Sequence, residues 1–229
     1  TDMPFCIDAW TVKPKLAAAA YCAEKGLLDR MFYNSITVWE KNLDAEIKEM
    51  VNIGVKNVLL VAFDQEDQLA SGRIGGTQLL LDAIERNDAK FENMFVDTSV
   101  MNGPATALCG IANKMIKEKW GFATSSAPSN GSYMWKEARK KWGFKGWSAA
   151  DAALESLSAF MNHDMIFSGP MVGAQRIMPA IAMANAFQAT AVFNETGRLP
   201  KDENHPLYKH FPDFVENLKS SGNINPCVA

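Results

Sequence analysis

Six segments that read as strands each end on a side chain able to hydrogen-bond a ligand. "PFCID" ends on Asp8, "MFYN" on Asn34, "NVLLVAFD" on Asp64, "NMFVD" on Asp97, "FATSS" on Ser125 and Ser126, and "MIFS" on Ser168. Any one of them could cap the backbone where a strand leaves a sheet. At the same end of parallel strands, however, they line one rim, which is where α/β folds place their sites. A carboxylate accepts two parallel N–H bonds from an amidine-like edge, and an amide beside it both donates and accepts. Two aspartates and an asparagine therefore suit the 2-amino-4-oxo face of a reduced pterin better than a phosphate. The chain has no GxSxG, no lysine at a strand end and no cysteine close to a histidine in sequence, so no nucleophile arrangement stands out. Its three histidines, His163, His205 and His210, show no HxH or HExxH spacing, and no metal site is expected.

The elements that must position these residues alternate. Strand "PFCIDA" leads to helix "KPKLAAAAYCAEKG", and "MFYNSI" to "DAEIKEMVNIG", whose Ile47, Met50 and Val51 recur at helical spacing. "NVLLVAF" is continuously apolar, as a strand buried on both faces should be. "SGRIGG" reads as a flexible rim loop before helix "TQLLLDAIERN". Strand "NMFVDTSV", helix "PATALCGIANKMIKEKWG" and strand "FATSS" follow. After them come helices "YMWKEARKKWG" and "SAADAALESLSAFMNH", strand "MIFSG" and helix "RIMPAIAMANAFQATAVFNETG". Such alternation predicts a parallel sheet with right-handed crossovers. A doubly wound sheet and a barrel both fit the pattern, but no GxGxxG follows a strand.

The composition bounds the partners. With 229 residues, 48% of them hydrophobic, and a net charge of −3, the chain can bury a large core and has no basic stripe for nucleic acid. The densest positive run, "KEARKKWGFK", reads as a solvated helix face. No apolar stretch reaches membrane-spanning length, so no membrane insertion is expected. Cys6, Cys22 and Cys109 lie in apolar segments, which fits reduced thiols and a cytoplasmic location.

"MPFCIDAWTVKPKLAAAAYCAEKGLLDRMFYNSI", "FVDTSVMNGP", "FSGPMVGAQRIMPAIAMANA" and "ENHPLYKHFP" resemble the H-subunit family of tetrahydromethanopterin S-methyltransferase and its folate-dependent bacterial relatives. The resemblance runs over nearly the whole chain. It implies a pterin-binding (β/α)8 TIM barrel and methyl transfer between a corrinoid protein and N5 of a tetrahydropterin, with tetrahydrofolate placed ahead of tetrahydromethanopterin. It implies that the corrinoid comes from the partner, that the chain holds no metal of its own, and that the protein is a homodimer. Asp8, Asn34 and Asp97 take the pterin-binding positions, with Asp64 and Ser168 beside them. Related corrinoid-dependent enzymes carry an asparagine near N5, after the strand that matches "FATSS". Here Ser126, Asn130 and a water are alternatives for that assisting role.

"PFCIDA" resembles the third barrel strand, so the first two βα units would be lacking, and the abrupt start in a strand fits a fragment or a processed product. One barrel domain is expected over 1–229, with six βα units to about residue 197 and an irregular tail over 198–229. The stretches 65–76 and 128–135 are expected as mobile rim segments that contact the corrinoid partner. Two rivals remain: a condensing enzyme like dihydropteroate synthase, which would need basic residues for a pyrophosphate, and a non-catalytic pterin-binding scaffold subunit.

Overall fold

The computed structural model describes residues 2–221. The strands are β1 (Phe5–Asp8), β2 (Met31–Thr37), β3 (Asn57–Val61), β4 (Asn93–Asp97), β5 (Ala123–Ser126) and β6 (Met165–Ile166). Between and after them run the helices α1 (Val12–Glu24), α2 (Leu43–Ile53), α3 (Ala70–Arg86), α4 (Ala105–Trp120), α5 (Pro128–Tyr133), α6 (Ala138–Phe160), α7 (Ala174–Thr196), α8 (Pro206–His210) and α9 (Pro212–Ser221). The sheet order is β1-β2-β3-β4-β5-β6, and each of the first four neighbouring pairs is parallel. A doubly wound sheet would reverse its order at a switch point. This one never reverses, and the unbroken progression is that of a barrel wall.

By its internal contacts the chain forms two compact units. The first takes in the chain up to Val100 together with Ala107–Ser126 and His163–Met165. Its core packs Met31, Tyr33, Val58, Leu60 and Val96 from the strands against Ala19, Ile47, Leu80 and Ile116 from the helices. Side chains alternate along a strand, so Asn34, Leu59, Phe95 and Asp97 lie on the opposite sheet face. A β-bulge interrupts β2. Tyr33 pairs with Val58 and Ile36 with Leu60, so Asn34 and Ser35 stand against Leu59 alone.

The helix layer locks this bulge. Lys15 of α1 is 5% exposed and Glu46 of α2 is 2% exposed. The Lys15 ammonium donates to the Ser35 carbonyl and pairs with Glu46 Oε1 at 2.9 Å. The Tyr33 hydroxyl donates to the same Glu46 oxygen at 2.7 Å. Burial, followed by the bond to Glu46, pushes the Tyr33 phenol well above its ordinary range.

The "SGRIGG" segment is helical, not a loop: it forms the first turns of α3. Its glycines permit close packing. A Cβ at Gly72 would stand 1.9 Å from the Asp67 carbonyl oxygen, and one at Gly76 would press on Val38 and the Ala62 backbone. Residues 65–76, expected as a mobile segment, are thus largely helix α3, and residues 128–135 are largely α5.

The second unit holds Met101–Thr106, Ala127–Asn162 and the chain from Ile166. Helix α6 is broken at Gly143, whose φ of 67° is left-handed, and the break divides it much as the sequence divided its two helices. In the tail an irregular chain was expected, yet the described part carries α8 and α9. Leu207 and Val215 bury themselves against Ala186 and Ala189 of α7, which offsets the cost of ordering these short helices. Pro206 opens α8 and the His205 Nδ1 accepts the Leu207 N–H at 3.1 Å, a start signal that "ENHPLYKH" carried in plain view. Residues 222–229 of the expected tail lie outside the described residues. No described helix is long and apolar enough to cross a membrane.

Candidate functional site

In the first unit the sheet register sets polar side chains side by side. Asp8, the exposed last residue of β1, pairs with Asn34 of β2. Val61 pairs with Asp97, and Asp97 with Ser125. These polar side chains share the face turned away from the helix layer. Beneath them, two residues earlier on their strands, the Phe32 and Phe95 rings meet edge to face at 5.5 Å. An apolar floor under a polar row suits a flat heterocycle with hydrogen-bonding edges.

Asp97 combines the two roles that its position allows. Its Oδ1 accepts the Ser99 N–H at 2.7 Å and the Ser99 hydroxyl at 3.3 Å, which caps the turn after β4. Its Oδ2 takes no part in these bonds and is left over. The residue is only 7% exposed, and burial pushes its carboxyl up to about 6 despite the Ser99 bonds and the charge of Arg73. The Ser125 hydroxyl beside it is buried without a partner among the described residues. Buried polar atoms are ordinarily satisfied, so an unpaired hydroxyl and a half-free carboxylate on one face mark a place for a ligand.

The other predicted residues separate. Asp64 lies past the end of β3, and its Oδ1 accepts the Glu66 N–H at 2.8 Å, the geometry of a turn. Ser126 is fully buried with a hydroxyl that has no partner among the described residues, but alternation turns it to the side opposite Ser125 and Asp97. Asn130 and Ser168 belong to the second unit. Asn130 is exposed on α5, and Ser168 is half-buried just beyond β6.

Arg73 was missed in the sequence. It is fully buried and donates to the carbonyls of Thr98 at 2.5 Å, Gln68 at 2.6 Å, Ser99 at 3.0 Å and Leu69 at 3.1 Å. The guanidinium fork thereby fixes the turn that holds Asp97. A lone arginine inside a glycine-rich stretch gave no signal for this role. Among the described residues no group of three or more His, Cys, Asp or Glu is arranged to hold a metal ion.

The second unit contains its own buried charge. Asp151 accepts from the Ser132 hydroxyl and from Arg176 at 2.5 and 2.9 Å. One turn further along α6, Glu155 is fully buried with both carboxylate oxygens unpartnered among the described residues. Burial first, and Asp151 second, push its carboxyl up to about 8. A carboxyl raised in the folded state favours folding below its unfolded value, and that advantage is lost as pH rises toward 8. Stability is therefore expected to fall across that window by on the order of 1.4 kcal/mol per pH unit. Glu155→Gln should flatten the decline in urea titrations at pH 5 and pH 8, and an unchanged pH slope would assign it to other groups.

The profile of the tetrahydromethanopterin S-methyltransferase MtrH subunit family matches residues 1–197. The chain is 26% identical over 220 residues to the tetrahydromethanopterin S-methyltransferase H-subunit of Methanothermobacter marburgensis, covering 91% of this chain and 69% of that protein. It is 27% identical over 228 residues to the protein of the same name from Methanococcus maripaludis, with 91% and 70% covered. The H-subunit of a putative mtx methyltransferase from Methanosarcina mazei is 27% identical over 218 residues, with 90% and 68% covered. With the family profile matched over most of its length, the chain belongs to the MtrH family of tetrahydromethanopterin S-methyltransferase subunits.

Proposed function

We propose that the chain holds a tetrahydropterin on the polar face of its sheet and presents N5 for methyl transfer. The observation that carries this is two register pairs on one sheet face, Asp8 with Asn34 and Asp97 with Ser125, with the spare Asp97 oxygen and the Ser125 hydroxyl that has no partner among the described residues. Asp97 accepts from the amino group and the adjacent ring N–H, while Asn34 and Asp8 serve the reduced ring. Tetrahydromethanopterin comes first as substrate, since it stands in the names of the relatives. Tetrahydrofolate, which the sequence placed first, comes second. A complete (β/α)8 barrel and a corrinoid protein as methyl partner belong to the same proposal. A bound corrinoid would supply or take up the methyl group as a cation equivalent, its cobalt keeping or returning the bond's electron pair, while N5 gives its own pair and loses its proton, or regains both. The chain's own contribution is positioning. Asn130 keeps the role near N5 that the family resemblance implies and Ser168 its place beside the pterin, whereas Ser126, which faces away from Asp97, does not.

Calorimetry with each tetrahydropterin, followed by methylcobalamin or a methylated corrinoid protein under anaerobic conditions, tests the reading. Saturable binding, tighter for tetrahydromethanopterin, and a cobalt spectrum that changes only with pterin present are expected. Absence of binding to either pterin would overturn it, whereas binding without transfer to any corrinoid would leave a scaffold subunit.

A further inference from the structure

The Arg73 guanidinium is fully buried, and among the described residues no carboxylate lies within ion-pair distance of it. Buried charges are ordinarily paired. Its hydrogen bonds end on carbonyls, and one of those carbonyls leads to a carboxylate. Nε donates to the Thr98 oxygen at 2.5 Å. The N–H of that same peptide group belongs to Ser99, and it donates to Asp97 Oδ1 at 2.7 Å. One peptide unit thus stands between cation and carboxylate, its oxygen bonded to the first and its N–H to the second.

That peptide is held from several sides. Nη2 of Arg73 donates to the Ser99 carbonyl at 3.0 Å, while Nη1 reaches back to Gln68 and Leu69. The Cys109 thiol of α4 contacts the Thr98 and Ser99 carbonyls at 3.4 Å, and the Thr98 hydroxyl donates to Asn113 at 3.0 Å. Together they keep Ser99 at a φ of 48°, left-handed and uncommon for a residue other than glycine. Besides Asp97, the titratable groups at this turn are Arg73 from α3 and Cys109 from α4. Burial holds Cys109 as a neutral thiol, and the register partners of Asp97, Val61 and Ser125, bring no charge. Arg73 therefore supplies the charge, and it pulls the Asp97 carboxyl down against burial. Bonds linked in such a chain polarise one another.

We propose that Arg73 is a positioning residue that pairs with Asp97 through the Thr98–Ser99 peptide, keeping the carboxylate charged for a ligand and its Oδ1 in the turn, so that Oδ2 stays spare. The part that concerns a tetrahydropterin rests on the proposed function, whereas the coupling of the two charges does not. Lysine at this position carries the charge without the fork, and glutamine carries N–H donors without the charge. The two substitutions separate charge from geometry.

Nuclear magnetic resonance of the full chain, titrated from pH 4 to pH 8.5, reads the coupling without any ligand. The Arg73 Nε–H, the Ser99 N–H and the Asp97 carboxyl carbon should move with a single midpoint near 6, and Asp97→Asn should abolish the movement of the first two. Arg73→Gln should raise the Asp97 midpoint by about one pH unit, and Arg73→Lys should leave it nearly in place. At pH 6 such a shift cuts the ionised fraction from about a half to about a tenth. Tetrahydromethanopterin, followed by calorimetry, should then bind Arg73→Gln about fivefold more weakly at pH 6 and within about twofold of the unchanged protein at pH 8.5. A merely misshapen site would show no such recovery. An Arg73 Nε–H that ignores the Asp97 titration, an Asp97 midpoint unmoved in Arg73→Gln, or an affinity gap undiminished at pH 8.5 would each overturn the proposal. Should Arg73→Gln fold poorly by circular dichroism, the resonances of the unchanged protein still decide. Failure of the unchanged protein to bind any tetrahydropterin would overturn the proposed function alone, since those resonances report the coupling by themselves.

Discussion

Asp97→Asn melts above the unchanged protein at pH 7 and binds tetrahydropterin ten- to hundredfold more weakly: that is the expected result. Burial lifts the Asp97 carboxyl from 3.8 to about 6. At about 1.4 kcal/mol per unit, ionising it inside the fold costs roughly 3 kcal/mol. Because its folded value is raised, its contribution favours folding below the unfolded value and is lost as pH climbs to about 6. Asparagine escapes that loss, so its stability gain belongs to pH 7 and fades toward pH 4. It also keeps an oxygen for the Ser99 N–H, so the turn survives. What it lacks is a second acceptor for the amidine edge of the pterin. A charge-assisted bond is worth about 1.5–3 kcal/mol, roughly ten- to hundredfold in affinity. The unchanged protein should lose affinity as pH drops through 6, and the variant should show a flat profile. An Asp97→Asn protein that melts lower and binds normally would leave Asp97 as a turn cap and nothing more.

Whether such an aspartate caps or binds cannot be separated in sequence, because both roles ask for the same residue in the same place. The structure divides them between its two oxygens: Oδ1 closes the turn and Oδ2 is left over. For Asp64 it supplies a turn bond to the Glu66 N–H. The succession of strands and crossover helices followed from alternation, but strand order did not, since the same alternation fits a doubly wound sheet and a barrel. What escaped was packing. The glycines of "SGRIGG" looked like a loop because glycine disfavours helices, yet Gly72 and Gly76 are there to let α3 approach backbone. Once that stretch was taken for a loop, Arg73 lost its context, although it holds four carbonyls around the candidate site. Trp142 read as part of a solvated basic run, and its edge-to-face contact with Trp135 is a matter of packing that composition does not show. Ser125 and Ser126 were inseparable until the register with β4 fixed which one faces Asp97.

The largest stability effect is expected at Lys15. Lys15→Met leaves Glu46 almost fully buried with the Tyr33 hydroxyl as its remaining partner, and Glu46 Oε2 already has none among the described residues. It also strips the Ser35 carbonyl of its donor. Removing one member of a buried ion pair costs about 3–5 kcal/mol, because the other charge stays behind. Glu46→Gln, which keeps an oxygen for Tyr33 but strands the ammonium, should cost a comparable amount. Lys15→Met/Glu46→Gln leaves no buried charge and should recover much of the loss, a coupling that a double-mutant cycle in urea reads directly. Purely additive losses would mean that the pair is solvated in solution. The functional consequence separates from the stability one. Lys15 holds the carbonyl of the bulge residue next to Asn34, and a bulge re-aims the side chains it displaces. Tetrahydropterin affinity should therefore drop in Lys15→Met and stay low in the rescued double variant. Affinity restored together with stability would confine Lys15 to the core, and affinity that remains lost would make it the residue that points Asn34 at the pterin.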